Sequence, residues 1–259
     1  MRRGKRDKNM VFSSLQFVLI FMPVFFGCYY IAPEKYRNII LLIGSMTFYF
    51  IGTLNAPYHF VLFIISILVD FTVGLFIEKY PKHKKLFLVC GVIFHLISLC
   101  IFKYGNFIIG EFGKISSGLA SFKEIILPIG ISFYTFQGMS YIADVYGGKI
   151  KAEKNLLNFA VYISMFAQLI AGPIVTYREI SDRLEKRRIT RRMAFKGFGI
   201  FIFGLGFKVL LANPIGKLWT QAQTIGFESL STPLAWMSVI AFSFQLYFDF
   251  FGYSLMAIG

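Results

Sequence analysis

The stretch Leu127–Asp144, LPIGISFYTFQGMSYIAD, decides how this chain is read. Its apolar content matches a membrane helix, yet Pro128 and Gly130 stand near its start, and Ser132, Thr135, Gln137, Gly138 and Ser140 follow. Hydrocarbon cannot satisfy the backbone and side-chain polar groups such residues leave bare. The segment must therefore face protein or water, and freed polar groups at that depth are suited to handling a substrate.

The rest of the chain supplies the setting. Of its 259 residues 56% are hydrophobic and 15% charged, above the apolar share and below the charged share of ordinary soluble domains. This predicts an all-α, polytopic membrane protein with about 7–8 transmembrane helices in a single membrane domain over residues 1–259. A formal charge of +14, from 27 Lys and Arg against 13 Asp and Glu, would suggest nucleic acid in a soluble protein. In a membrane chain the basic residues gather between spans against anionic headgroups, so nucleic acid is not an expected partner and the lipid bilayer is. Cys28, Cys90 and Cys100 lie in apolar stretches without CxxC spacing, which excludes a disulfide framework or zinc site and predicts small buried hydrophobes.

Residues 1–10 form a basic extension with five Lys or Arg, followed by the uncharged run Val11–Pro33, which is read as a retained first helix because no A-x-A cleavage site follows. Asn38–Val69 is too long for one crossing, and Asn55-Ala56-Pro57 divides it into a helical hairpin. Its second arm is expected to close at Asp70–Glu78, ahead of the basic loop 79–85. Leu86–Phe102 is a fourth span, and Lys103–Glu124 fits a surface loop or an interfacial helix. Asn155–Tyr177 reads as a span. Arg178–Lys196, with eight basic residues, is compatible with an amphipathic helix on the membrane surface. Gly197–Ala212 and 232–248 are the last spans, separated by the polar stretch Asn213–Ser231. If every segment crosses, loop charges divide almost evenly between the two sides. If Leu127–Asp144 instead enters and leaves by one side, they concentrate on the side of loops 79–85 and 178–196, so a re-entrant Leu127–Asp144 obeys the positive-inside tendency better.

Among residues able to carry chemistry, His95 lies in the middle of Leu86–Phe102. It is either a functional intramembrane group or an imidazole bonded to a neighbouring helix. His59 suits packing or capping, and His83 lies in a solvated basic loop. Asp249, within the aromatic run 247–253, needs a partner such as a Tyr hydroxyl, a Lys or a polar cavity. Lys208 is placed to pair with an acid or to reach the interface. Asp144 can cap a helix or pair with Lys149 or Lys151, and Gln137 can bond a substrate or a neighbouring backbone. No metal site is expected.

Four stretches together carry a family resemblance: Met10–Ser14, LPIGISFYTFQGMSYIADVY from Leu127, Gln168–Val175 and Gln245–Gly259. They resemble the membrane-bound O-acyltransferase family, in its bacterial branch containing the alginate O-acetyltransferase membrane subunit and the teichoic acid D-alanyl transferase. The resemblance covers nearly the whole chain from Met10. It implies a many-helix fold with re-entrant segments around a tunnel joining a cytoplasmic acyl donor, acetyl-CoA or a carrier-protein thioester, to an acceptor on the outer face.

The implied reaction is transfer of an acyl group, acetyl foremost, to a cell-envelope polysaccharide in a multi-pass protein of the cell membrane. A periplasmic or extracellular acetyltransferase partner and no bound cofactor go with it. Gln137, Asp144 and Asp249 become tunnel-lining support candidates. The family run YFDFSGYSDMAIG departs here at Phe251 and Leu255, and Thr176 stands where the family tends to have Arg. The resemblance places the family's catalytic histidine beyond Gly259, so none of His59, His83 and His95 takes that role and this chain alone is expected to be inactive. A transporter and a non-catalytic membrane subunit are the alternatives.

Overall fold

The computed structural model describes residues 13–113, 125–169, 175–185, 187 and 190–259. The basic extension, the Gly172-Pro173 pair and part of the 103–124 linker lie outside the described residues. Helices and their connections make up the described residues, without strands. In chain order they are α1 (Met22–Ile31), α2 (Arg37–Gly52), α3 (Tyr58–Lys79), α4 (Lys84–Leu99), α5 (Gly105–Gly113), α6 (Ile131–Tyr146), α7 (Leu156–Ser164), α8 (Phe166–Leu169), α9 (Tyr177–Glu185), α10 (Arg191–Gly206), α11 (Asn213–Ile225) and α12 (Thr232–Ile258). Four continuous helical stretches, Tyr58–Lys79, Pro81–Glu111, Arg191–Ile225 and Thr232–Ile258, are long and apolar enough to cross a membrane, and a shorter apolar helix covers Phe17–Ile31.

Helices run further than the polar residues suggest. The arm expected to close at Asp70–Glu78 ends one residue past that range, at Lys79, because Asp70 meets a partner inside the protein and no helix breaker precedes Pro81. The fourth helix passes Phe102 through a π-helical turn at Cys100–Tyr104, and Lys103–Glu111 belongs to it rather than to a loop. Asn213-Pro214 does not end the helix either. A π turn at Phe207–Ala212 offsets the hydrogen-bond ladder just before Pro214, where the missing N–H is tolerated. The basic segment 178–196 is not one surface helix: α9 stops at Glu185, and Thr190 caps α10 by accepting the Met193 N–H at 3.3 Å. The three cysteines are exposed on helix surfaces rather than buried, since the outward face of such helices is itself apolar.

The described residues form two compact units, one from 27–113, 125–169 and 175–185, the other from 13–26, 187 and 190–259. In the first unit, α2 descends to the hairpin Thr53–Pro57 and α3 returns. With 22 residues at 1.5 Å each, α3 is about 33 Å long, enough to cross a hydrocarbon core of about 30 Å. Gly130, at φ 72°, turns the chain into α6, and a β-carbon there would strike the Leu169 carbonyl. Residues 125–130 lie at the hairpin end, where Asn106 brackets Ile125 through two hydrogen bonds of 2.7 and 2.8 Å and Gly52 faces Ile129. The other end of α6 reaches Lys84, whose Nζ sits 4.8 Å over the Tyr146 ring. Thus α6, with 16 residues, runs alongside α3 and in the same direction.

A second segment is interrupted inside the protein. Asn155–Tyr177 is not a single span: α7 has nine residues, about 14 Å, and breaks at Met165. The flanks of the break meet again at the end where they began. Tyr177 donates its hydroxyl to the Glu153 carboxylate, and the Tyr162 hydroxyl donates to the Val175 carbonyl at 3.1 Å. Every described residue of α7 from Asn158 to Ser164 is buried, so the break is walled by protein. Phe166 N–H, freed by it, finds Ser45 Oγ at 3.3 Å, and Gln168 Nε2 donates to the Tyr162 carbonyl at 3.2 Å.

In the second unit α10 and α12 pack antiparallel through paired glycines. Gly197 faces Gly259 and Gly204 faces Gly252, two turns apart, so the backbones touch. Lys208 and Asp249 form an ion pair one turn further on. A β-carbon at Gly204 would stand 2.5 Å from the Gly252 carbonyl oxygen. Gly204→Ala is expected to destabilise this unit by about 1–3 kcal/mol, read as a lower midpoint in thermal unfolding of the purified protein in detergent.

Candidate functional site

Three glycines let α3, α4 and α6 close on one another. Gly91 of α4 faces Ile142 and Val73, Gly74 of α3 faces the Tyr141 ring, and Gly138 of α6 lies directly on the Asp70 carboxylate. The last contact explains a glycine in the middle of the 127–144 stretch, since any side chain there would occupy the space of the carboxylate. Across from Gly138, His95 Nε2 lies 2.7 Å from Asp70 Oδ1. The side chains are 0% and 1% exposed, and the pair is twenty-five positions apart in sequence. Sequence 38–78, 86–102 and 125–148 contains no Lys or Arg, so His95 is the cation-forming group that can meet Asp70 from these helices.

A second set of polar groups surrounds the broken helix. Tyr49 Oη, Tyr134 Oη, Thr135 Oγ1, Gln137 Oε1 and Ser164 Oγ are buried with no hydrogen-bond partner among the described residues. They come from α2, α6 and α7, and Tyr49 and Tyr134 both pack on the Phe63 ring, at 4.3 and 5.1 Å between centroids. Buried polar atoms in this number mark a place where polar ligands can be held.

The remaining part is open. At the end of the first unit opposite the hairpin, a cleft of about 440 Å³ is lined by Ile150–Lys154, Tyr177, Ser181 and Asp182. Its floor is fixed by hydrogen bonds from Ala152 N–H to Glu78 Oε2 at 2.6 Å and from Glu153 N–H to Tyr141 Oη at 2.9 Å. Asn38 Nδ2 ties the start of α2 to the same region, donating to Asn158 Oδ1 at 2.8 Å and to the Leu184 carbonyl at 3.1 Å. Segments 34–37, 79–85, 147–155 and 178–185 therefore share this end with their Lys and Arg residues. At the hairpin end the described residues hold one, Lys103.

The three sequence candidates fall in separate places. Gln137 is buried at 1% exposure, with Oε1 among the unpartnered atoms. Asp144 lies near the cleft end of α6, where Lys149 Nζ is 3.1 Å from Oδ1. Asp249 is in the second unit with Lys208, the lysine partner being one of the options its sequence position left open. His59 is buried against the Tyr58 and Phe102 rings, and His83 sits in an exposed turn. Sequence reasoning missed the pairing of Asp70 with His95 and the meeting of Glu78, Tyr141, Glu153 and Tyr177. The signal available for the first was two ionisable residues in adjacent apolar runs, each too costly to leave alone.

Long apolar helices with a titratable pair sealed between them and a helix broken inside the protein define a helical integral membrane protein. No protein-family model matches the chain. It is 38% identical over 258 residues to the probable alginate O-acetylase AlgI of Pseudomonas aeruginosa, covering 96% of this chain and 48% of that protein. It is 37% identical over 257 residues to the corresponding protein of Pseudomonas syringae, covering 96% and 49%. Against the peptidoglycan O-acetyltransferase of Helicobacter pylori it is 31% identical over 287 residues, covering 96% and 53%. The chain belongs to the membrane-bound O-acyltransferase family, as the four sequence stretches imply, and it spans about half the length of the curated relatives it matches.

Removing one partner of a buried pair strands the other. Asp70→Ala and His95→Ala are each expected to cost about 3–5 kcal/mol. The double variant should lose clearly less than the sum, because the two effects share one interaction. Equilibrium unfolding in mixed micelles, run as a double-mutant cycle, measures the coupling.

Proposed function

We propose that this chain forms part of an enzyme that transfers an acyl group, acetyl foremost, from a thioester to hydroxyls of a cell-envelope polysaccharide. The single observation that carries the reading is 38% identity across 96% of the chain to a relative named as an alginate O-acetylase. The acyl donor is acetyl-CoA or a carrier-protein thioester. A periplasmic or extracellular acetyltransferase is the expected protein partner. In such a transfer the hydroxyl oxygen attacks the thioester carbonyl and the thiolate leaves, so a base must take the hydroxyl proton.

His95 is bonded to Asp70 and sealed, which suits bracing better than contact with a substrate. Gln137 and Asp144 in the first unit, and Asp249 in the second, are support residues in this proposal. No residue of 1–259 is assigned the base in this proposal.

The proposal includes a multi-pass placement in the cell membrane. Seven passes, made by α1, α2, α3, α4–α5, α6, α10–α11 and α12, are joined by one re-entrant hairpin at 155–177. Support for the hairpin comes from the short α7 and from the contact of Tyr177 with Glu153. The basic end of the first unit faces the cytoplasm, where the positive-inside tendency puts Lys and Arg and where an anionic thioester donor would approach.

Two measurements test this. In cells lacking their own polysaccharide O-acetylation, the full-length protein should restore O-acetyl content, whereas residues 1–259 alone should not. Full restoration by 1–259 would place catalysis within this chain instead. With cysteine introduced singly, Lys154→Cys should react with a membrane-impermeant maleimide only after the cells are opened, and Asn55→Cys should react in intact cells.

A further inference from the structure

We infer that Glu78, Glu153, Tyr141 and the Asp70–His95 pair form a proton path leading from the open cleft to the middle of the first unit. The inference stands independently of acyl transfer. It begins with spacing: Asp70, Gly74 and Glu78 are four residues apart on α3 and so occupy one face, one turn from each to the next. Gly74 is the notch between the two carboxylates. A β-carbon there would lie 2.8 Å from Tyr141 Oη, so the hydroxyl rests against the helix within one turn of Asp70 on one side and of Glu78 on the other.

Tyr141 Oη accepts the Glu153 N–H at 2.9 Å, which leaves its own proton to give and a second lone pair to receive. The outer end is wet. Glu78 is exposed, and Glu153, held by Tyr177 and by Asn155 N–H at 2.6 Å, lines the cleft. The inner end is dry, and it has capacity to take a proton. Asp70 Oδ2 and His95 Nδ1 are both buried without a partner among the described residues, while Oδ1 and Nε2 hold each other at 2.7 Å. An added proton can rest on either group without breaking that bond.

Other titratable groups within electrostatic reach of Asp70 among the described residues are Tyr141 from α6 and Tyr162 from α7. No Lys or Arg occurs in 38–78, 86–102, 125–148 or 155–177 to hold Asp70 in one state. A purely mechanical clamp would need neither the notch for a hydroxyl nor two carboxylates at its mouth. The step itself is simple. Cleft water gives a proton to Glu78 or Glu153, Tyr141 receives it on oxygen while releasing its own toward Asp70, and the proton stays on the pair. Only O–H and N–H bonds change.

The test follows protonation directly. Full-length protein in lipid nanodiscs is subjected to a pH jump between about pH 5 and 8, with the carboxyl infrared band of Asp70 assigned through Asp70→Asn. Nitrogen-15 resonances of His95 give the same titration without altering the pair. Tyr141→Phe, which keeps the ring and removes the hydroxyl, should slow protonation by at least about tenfold with an unchanged end point. Tyr134→Phe should leave the rate as it is. If Tyr141→Phe does not fold, the surface change Glu78→Gln with Glu153→Gln should produce the same slowing. An unchanged rate in the folded Tyr141 or paired Glu variant would overturn the path, and so would a pair whose spectra do not respond to the jump.

Discussion

Asp70 sits in the middle of a largely apolar helix, and the first unit is arranged around the need to satisfy it. A carboxylate sealed at that depth requires a hydrogen-bonding, cation-forming partner and a neighbour without bulk. His95 of α4 is the first and Gly138 of α6 the second. Three helices are brought into one register by that pair of contacts. Gly74 and Gly91 then let Tyr141 and Ile142 close the remaining gaps between them. The polar residues of the 127–144 stretch follow from this arrangement: the face with Tyr134, Gln137, Gly138 and Tyr141 is buried in protein, whereas Phe136 points out.

A second consequence concerns direction. α6 lies alongside α3 and runs the same way, whereas Asn155–Tyr177 holds the nine-residue α7 and breaks at Met165. The segments holding Lys35, Lys84, Lys151 and Arg183 then converge around one cleft, against Lys103 among the described residues at the other end. Family membership fits this frame. Relatives named as an alginate O-acetylase and a peptidoglycan O-acetyltransferase each match 96% of this chain, so the matched part takes in nearly all of the helices described above.

Much of this could be read from residue order because apolar runs and helix breakers act locally. Asn55-Ala56-Pro57 marked the hairpin, Ser231-Thr232-Pro233 opened α12 near the expected place, and the motif stretches named the family. Other features resisted. Pro128 and Gly130 looked like an interruption inside a helix, but they precede its first turn. Met165 carries no breaker signal, yet the helix breaks there, because Ser45 of α2 and the nearby Gln168 take up the freed groups. Asn213-Pro214 looked like a stop, and a π turn carried the helix through it.

Composition and the order of apolar and polar runs by themselves determined the helical membrane class and the positions of most helices, since these depend on the free energy of short segments in hydrocarbon. They also determined the family, through motifs that need no fold to be recognised. Which helix breaks inside the protein, which acid meets which base and why Gly138 must be glycine were decided only by tertiary structure. Those outcomes depend on groups tens of residues apart reaching hydrogen-bonding distance, a condition that local spacing does not encode.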